Sequence, residues 1–202
     1  WTVNAYTLTF ASCILMSSAL ADRFGRRRVF LLGIFVFTAS SAWCGISDNI
    51  GTLITARTLQ GIGGSAVMPL SLALLSTSVP ERMRATAIGI WVGVAGLGVA
   101  LGPLIGGAVV EGMTWHAIFW INVPFGLLCI PLVWITIPES RGRPEPLDFL
   151  GLALVGIGLF GITYGIVRGN DAGWTSAEVL TGLIGGVALI VIFIWWESHA
   201  AS

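Results

Sequence analysis

The chain has 202 residues, 55% of them hydrophobic and only 10% charged, with a formal net charge of zero. Soluble domains carry roughly 25% charged residues, so most of this surface faces something other than water. A balanced charge gives no footing to a nucleic-acid partner held by bulk basicity.

A membrane-crossing helix needs about 20 mainly apolar residues. Seven stretches meet that length: about 3–20, 29–47, 52–77, 85–110, 119–137, 149–168 and 178–196. Their apolar runs are continuous, whereas the strands of a membrane barrel alternate, and backbone groups in lipid must be paired internally. The expected fold is therefore all-α and polytopic. The chain opens at Trp1 directly into helical sequence, with no Met and no basic, cleavable leader, and reads as a piece of something longer. Cys13, Cys44 and Cys129 lie inside apolar runs at no ligand spacing, which suits packing rather than a disulfide framework or a metal.

The first connection, L-A-D-R-F-G-R-R-R at 20–28, holds Arg23, Arg26, Arg27 and Arg28. With Arg82 and Arg84 in the third connection and Arg141 and Arg143 in the fifth, eight of the ten arginines fall on one side. The positive-inside rule makes that side cytoplasmic. Trp43, Trp115 and Trp174 mark the outer edge, and Trp134, Trp195 and Trp196 the inner one, as amphipathic rings prefer headgroup level. In the first connection Asp22 ends one helix and the arginines begin the next. Gly25 allows a tight reversal because it adopts positive φ freely. Asp22 pairs with an arginine or accepts from a helix N-terminus; a turn that only sets topology is the plain alternative.

Arg57 enters the third span by about five residues, roughly 8 Å at 1.5 Å per residue. A charge at that depth faces a cavity or a partner, unless it snorkels to the headgroups. In the fourth span Gly98, Gly102 and Gly106 recur every four residues. Such a stripe lets helix backbones touch, and Pro103 removes a backbone donor. G-I-G-L-F-G at 156–161 spells a dinucleotide fingerprint but lies inside one apolar run, with no strand before it. An intramembrane hydrolase would need a nucleophile and base within reach, and the two histidines, His116 and His199, fall in a connection and a tail.

These stretches carry a resemblance to the major facilitator superfamily. Leu20, Ala21, Asp22, Arg23, Gly25, Arg26 and Arg27 match the family's G-x-L-A-D-R-x-G-R-R/K loop, with Ser18 where glycine is usual. L-I-T-A-R-T-L-Q-G-I-G-G-S at 53–65 resembles its fourth-helix motif through Arg57, Gln60, Gly61 and Gly63. G-V-A-L-G-P-L-I-G-G at 98–107 resembles the antiporter motif of its exporters. W-H-A-I-F-W-I-N-V-P at 115–124, L-D-F-L-G at 147–151 and G-W-T-S at 173–176 look like the fourteen-span drug:proton branch, with His116 and Ala117 departing from the pattern.

The resemblance implies a partial major facilitator-like bundle running from about the second helix to the eighth. Residues 1–138 would supply most of the N-terminal bundle, 139–148 a cytoplasmic connection and 149–202 two further spans. The implied function is proton-coupled export of amphipathic or cationic small molecules, such as drugs or antibiotics, across the bacterial inner membrane. Its partners would be the substrate, protons and the bilayer, with no cofactor, no metal and no catalysis. Asp22, Arg23, Gly25, Arg26 and Arg27 would form a cytoplasmic latch. Arg57 and Gln60 would lie on the proton path, and Gly98, Gly102, Pro103, Gly106 and Gly107 would seal a helix interface. A symporter or facilitator for another solute, or a non-transporting membrane sensor on the same scaffold, remain the alternatives.

Overall fold

The computed structural model describes residues 2–142 and 148–200. They form seven long helices: α1 (Thr2–Phe24), α2 (Arg26–Gly45), α3 (Ile50–Ser78), α4 (Arg84–Gly112, preceded by a 3-10 turn at Glu81–Met83), α5 (Ala117–Thr136), α6 (Phe149–Ala172) and α7 (Ala177–Ala200). All seven are long and apolar enough to cross a membrane, and no strand occurs among the described residues. Each expected span lies within one helix to within a few residues at its ends. The helices overrun the apolar stretches because their ends keep polar residues: Asp22 and Arg23 in α1, Arg26 to Arg28 in α2, Arg168 and Asp171 in α6. The first connection shrinks to one residue, Gly25, at φ 108°.

Capping sets the other boundaries. Asn49 Oδ1 accepts from Thr52 N at 2.9 Å to start α3, and Asp148 Oδ1 accepts from Gly151 N at 2.9 Å to start α6. Each satisfies one of the donors that every helix start leaves unpaired. Asp148 Oδ2 also accepts from Trp196 Nε1 at 2.9 Å, which clips the end of α7 to the beginning of α6. Pro69, Pro103, Pro124 and Pro131 sit inside helices that continue through them, as membrane helices tolerate when neighbours compensate.

α3 is the hub, packed on α1 and α2, while α2 also packs on α5. Glycine makes this possible: a Cβ on Gly63 would fall 2.5 Å from Phe37 N and 2.8 Å from Gly33 O. Hydroxyls cross the α1–α3 seam, with Thr9 Oγ1 donating to Thr58 O at 3.0 Å and Ser17 Oγ 2.8 Å from Ser65 Oγ. Such interhelical bonds contribute about 0.6 kcal/mol each in membranes. The apolar core lies towards the Gly25 end and contains Ala21, Phe30, Leu31, Ile34, Ala66, Leu70, Leu74 and Val133.

α6 touches α1 on one side and α7 on the other. The G-I-G-L-F-G run lies here. A Cβ on Gly161 would meet Gly182 O at 2.9 Å, and one on Gly158 would meet Gly186 O at 3.1 Å. Those glycines are the touching surfaces of two helices. α4 differs from all the others: no residue of it is buried, and it makes only light contact with α3 and α5.

A cytoplasmic clasp and a caged arginine

Polar side chains gather at two places, one at each end of the bundle. The first is built on the α1–α2 turn. Asp22 accepts from Arg26 Nε at 2.9 Å and pairs with Arg26 Nη2 at 2.8 Å, one helical turn apart in sequence. The turn is then pinned by residues following α5. Arg26 N donates to Ser140 O at 2.8 Å and Arg27 N to Glu139 Oε1 at 2.9 Å. α2 has no cap from its own chain neighbour, so Glu139, far along the sequence, supplies a carboxylate to the positive end of the helix dipole.

Arg27 Nη1 donates to Ile137 O at 3.0 Å, and its guanidinium lies 5.0 Å from the Trp134 ring centroid. Arg28 Nε stands 3.7 Å from Glu139 Oε2. Two glycines permit the approach. A Cβ on Gly25 would fall 2.7 Å from the Glu139 carboxyl carbon, and one on Gly142 would fall 2.5 Å from that of Asp22. The first and fifth connections therefore share one end of the bundle, as the arginine count requires. Of the expected latch residues, Asp22, Gly25, Arg26 and Arg27 come together. Arg23 does not: it is exposed, over the ring of its neighbour Phe24. Sequence reasoning missed Glu139, Ser140, Gly142, Arg28 and Trp134. The available signal was topological, since Glu139 is an acid in a connection on the arginine-rich side.

The second site surrounds Arg57, at the opposite end. Its Nη1 donates to Gln60 Oε1 at 2.6 Å and its Nε to Thr2 O at 3.2 Å. Gln60, 1% exposed, passes the chain on: its Nε2 donates to Ser41 Oγ at 2.6 Å. The guanidinium carbon lies 4.5 Å from the Tyr6 ring centroid and 5.7 Å from that of Phe119, within cation–π range. Arg57 is half-buried, and its guanidinium reaches Thr2 at the start of α1. No carboxylate among the described residues pairs with it.

Phe119 is held in place by its own turn of α5. Trp120 Nε1 donates to Gly45 O at 3.1 Å, and His116 Nε2 lies 3.2 Å from Ser47 O. Beyond Tyr6, a cavity of about 370 Å³ opens between α1, α2, α3 and α4. Tyr6, Phe10, Gly64, Met68 and Trp91 line it. Trp91 Nε1 donates to Ser71 Oγ at 3.2 Å, which ties α4 to α3.

The glycine stripe of α4 lies apart from both places. A Cβ on Gly98, Gly102, Gly106 or Gly107 would meet nothing within 4 Å. The described helices leave that face uncovered, so the expected seal has no second surface among them, and Pro103 does not interrupt the helix. No group of three or more potential metal-ligating side chains occurs among the described residues.

Seven apolar helices joined by short turns, with charge confined to the ends and one inward cation, define a multi-pass helical membrane bundle. The chain belongs to the Major Facilitator Superfamily, whose sequence profile matches residues 1–197. It is 38% identical over 201 residues to the methylenomycin A resistance protein of Bacillus subtilis, covering 99% of this chain and 43% of that protein. It is 36% identical to the tetracenomycin C resistance and export protein of Streptomyces glaucescens, covering 99% of this chain and 38% of that protein. The multidrug resistance protein Stp of Mycobacterium tuberculosis is also 36% identical, with 100% and 38% covered. The chain thus spans about two fifths of the length of these relatives. Among solved structures, the POT family transporter PepTSo superposes with a TM-score of 0.69 at 15% identity, over 96% of this chain and 42% of that one. That likeness concerns the fold. The protein is accordingly multi-pass in the cell membrane.

Proposed function

We propose that the chain is part of a proton-coupled exporter of amphipathic small molecules, drugs or antibiotics among them. The observation that carries the reading is Arg57: a half-buried cation inside an apolar bundle, wired to Gln60 and Ser41 and stacked on Tyr6, a residue that itself lines a cavity of about 370 Å³. Relatives named for resistance and export support the same reading. In this account Arg57 lies on the coupling path, where its charge favours the ionised form of a nearby carboxylate supplied by the rest of the protein. Gln60 and Ser41 hold the guanidinium in register.

The Asp22–Arg26 turn, pinned by Glu139, acts as one face of a cytoplasmic latch, and exposed Arg23 and Arg28 reach towards the facing bundle. The open stripe of Gly98, Gly102, Gly106 and Gly107, with Pro103 among them, packs against a helix of that second bundle and limits leak. Rocking of two bundles around a midplane site gives alternating access.

The test uses the full-length protein in inside-out vesicles with an imposed pH gradient. Addition of an amphipathic drug should collapse the gradient, and Arg57→Ala should abolish that collapse. A gradient indifferent to drugs, yet sensitive to a sugar or to nothing, would remove the exporter reading and leave the fold.

A further inference from the structure

We propose that four aromatic rings make the cavity between α1, α2, α3 and α4 a slot for flat aromatic ring systems, with Trp91 as the residue that sets the preference. The inference rests on the reading that this bundle carries small molecules, and it adds which part of an amphipathic cargo the cavity holds.

The rings come from three helices. Tyr6 and Phe10 lie one turn apart on α1, stacked with centroids 5.8 Å and planes 26° apart. Phe37 reaches the cavity from α2 and Trp91 from α4. Four of the eight lining residues are thus aromatic, against 10% of the chain, so the enrichment belongs to this place and not to the composition. The Arg57 guanidinium lies over the Tyr6 ring, 4.5 Å from its centroid, and a cation–π contact of this kind holds the ring in position.

Helical spacing supplies the floor. Gly64, Met68 and Ser71 fall at intervals of four and three along α3, which places them on one face. A Cβ on Gly64 would lie 2.9 Å from the Tyr6 hydroxyl and 3.4 Å from Phe10 Cδ2, so glycine lets both rings lie against the helix backbone. Met68 presents a thioether, which attracts aromatic neighbours. At the far end Trp91 Nε1 donates to Ser71 Oγ at 3.2 Å, and Ser71 Oγ donates to Met68 O at 2.7 Å. The indole is fixed through its N–H, and what it offers an occupant is ring surface. Gly64 stands midway along the 29 residues of α3, the depth at which carriers hold their cargo.

Two opposing effects decide the class of occupant. A cavity of about 370 Å³ lies within the usual range for small-molecule sites and has room for a fused two-ring body. Hydrophobic transfer alone favours a saturated ring system over an aromatic one with the same carbon skeleton, because the saturated one removes more apolar surface from water. Aromatic pairs add an attraction beyond the area they bury, and a saturated ring receives none of it. The order in which the two kinds of ring bind therefore reports which effect governs the cavity.

The experiment is equilibrium binding to the purified full-length protein at neutral pH, with naphthol and its fully saturated counterpart, decahydronaphthol, as probes. Both are uncharged, both carry one hydroxyl, and the fused carbon skeleton is shared. Naphthol should bind about fivefold more tightly. Trp91→Leu should remove most of that preference while leaving the saturated alcohol within about threefold of its original affinity, and Trp91→Phe should restore part of it. Phe10→Leu, which removes a ring from α1 and leaves the Trp91–Ser71 bond in place, should reduce the preference by a smaller factor.

Equal or tighter binding of the saturated alcohol by the unmodified protein, or binding of neither probe, would overturn the proposal, whatever the variants do. So would a Trp91→Leu protein that keeps the preference, or one that loses both probes alike, since that marks Trp91 as a packing residue of α4 alone. Proton movement is measured separately. A Trp91-dependent aromatic preference without drug-driven gradient collapse would sink the exporter reading and leave the slot standing. Collapse without aromatic preference would do the reverse.

Discussion

At the Gly25 end of the bundle, Arg26, Arg27 and Arg28 each meet an acid or a backbone carbonyl, and a distant carboxylate caps the helix that bears them. At the other end Arg57 has one carbonyl, an amide oxygen and two aromatic faces. The first arrangement is a network of ion pairs and backbone caps, within which Arg27 Nε and Ser140 Oγ are buried without a hydrogen-bond partner. The second is a single guanidinium held by two hydrogen bonds, its Nη2 without a hydrogen-bond partner among the described residues. Charges at a membrane protein's wet end are cheap to keep and serve orientation and locking. One inside the bundle is costly, and Arg57 meets that cost with a carbonyl, an amide oxygen and two ring faces.

The comparison can be broken first at the clasp. Gly25→Val forces a side chain into a positive-φ position and into the Glu139 carboxylate. Backbone strain and overpacking each contribute about 1–3 kcal/mol, so a loss near 3 kcal/mol is expected, read as a lowered Tm in detergent. An unchanged Tm would mean that the turn and the α5 end do not meet in the membrane. At the other end, Arg57→Gln in the full-length protein should abolish drug-driven collapse of an imposed pH gradient while the clasp stays intact, with Tm in detergent unchanged. Because the sites share no residues, the double variant with Glu139→Ala should be additive, and strong coupling between them would merge what the comparison separates.

Glu139→Ala alone removes the cap of α2 and should cost about 1 kcal/mol, visible as faster amide exchange at Arg27 and the residues after it. The smallest effect belongs to the uncovered helix. Gly102→Ala meets nothing within 4 Å, so the stability of this chain by itself should move by less than about 0.5 kcal/mol. A larger loss there, in this chain without its continuation, would show that α4 packs differently from the arrangement described.

The seven spans were legible because hydrophobic length is a strong signal in a chain with so few charges. Legibility failed where function depends on contact between distant segments. Asp22 and Arg26 are one turn apart, so their pairing follows from spacing. Glu139 is not near them in sequence, and an acid following an apolar span reads as a simple stop signal. The stripe at Gly98, Gly102 and Gly106 was legible as a helical spacing, yet none of the described helices packs on it. Arg57 was visible by depth alone. The Tyr6 and Phe119 rings beside its guanidinium were not, because stacking needs positions. G-I-G-L-F-G shows the opposite case: its context excluded a nucleotide site, and the structure assigns Gly158 and Gly161 to the α6–α7 contact.

The reach of Glu139 to Arg27, 112 residues back along the chain, has a consequence for biogenesis. A chain emerging at about 5–20 residues per second needs roughly 6–22 s to deliver the acid after the arginine has appeared. During that interval the α1–α2 hairpin already sits in the bilayer, its turn held by Asp22 and Arg26 alone and the first donors of α2 open to solvent. The turn is therefore set in two stages: orientation when the arginines emerge, geometry when the fifth span has been made. A ribosome stalled short of residue 139 should present an inserted hairpin whose turn is still accessible to a protease, and release past that point should close it.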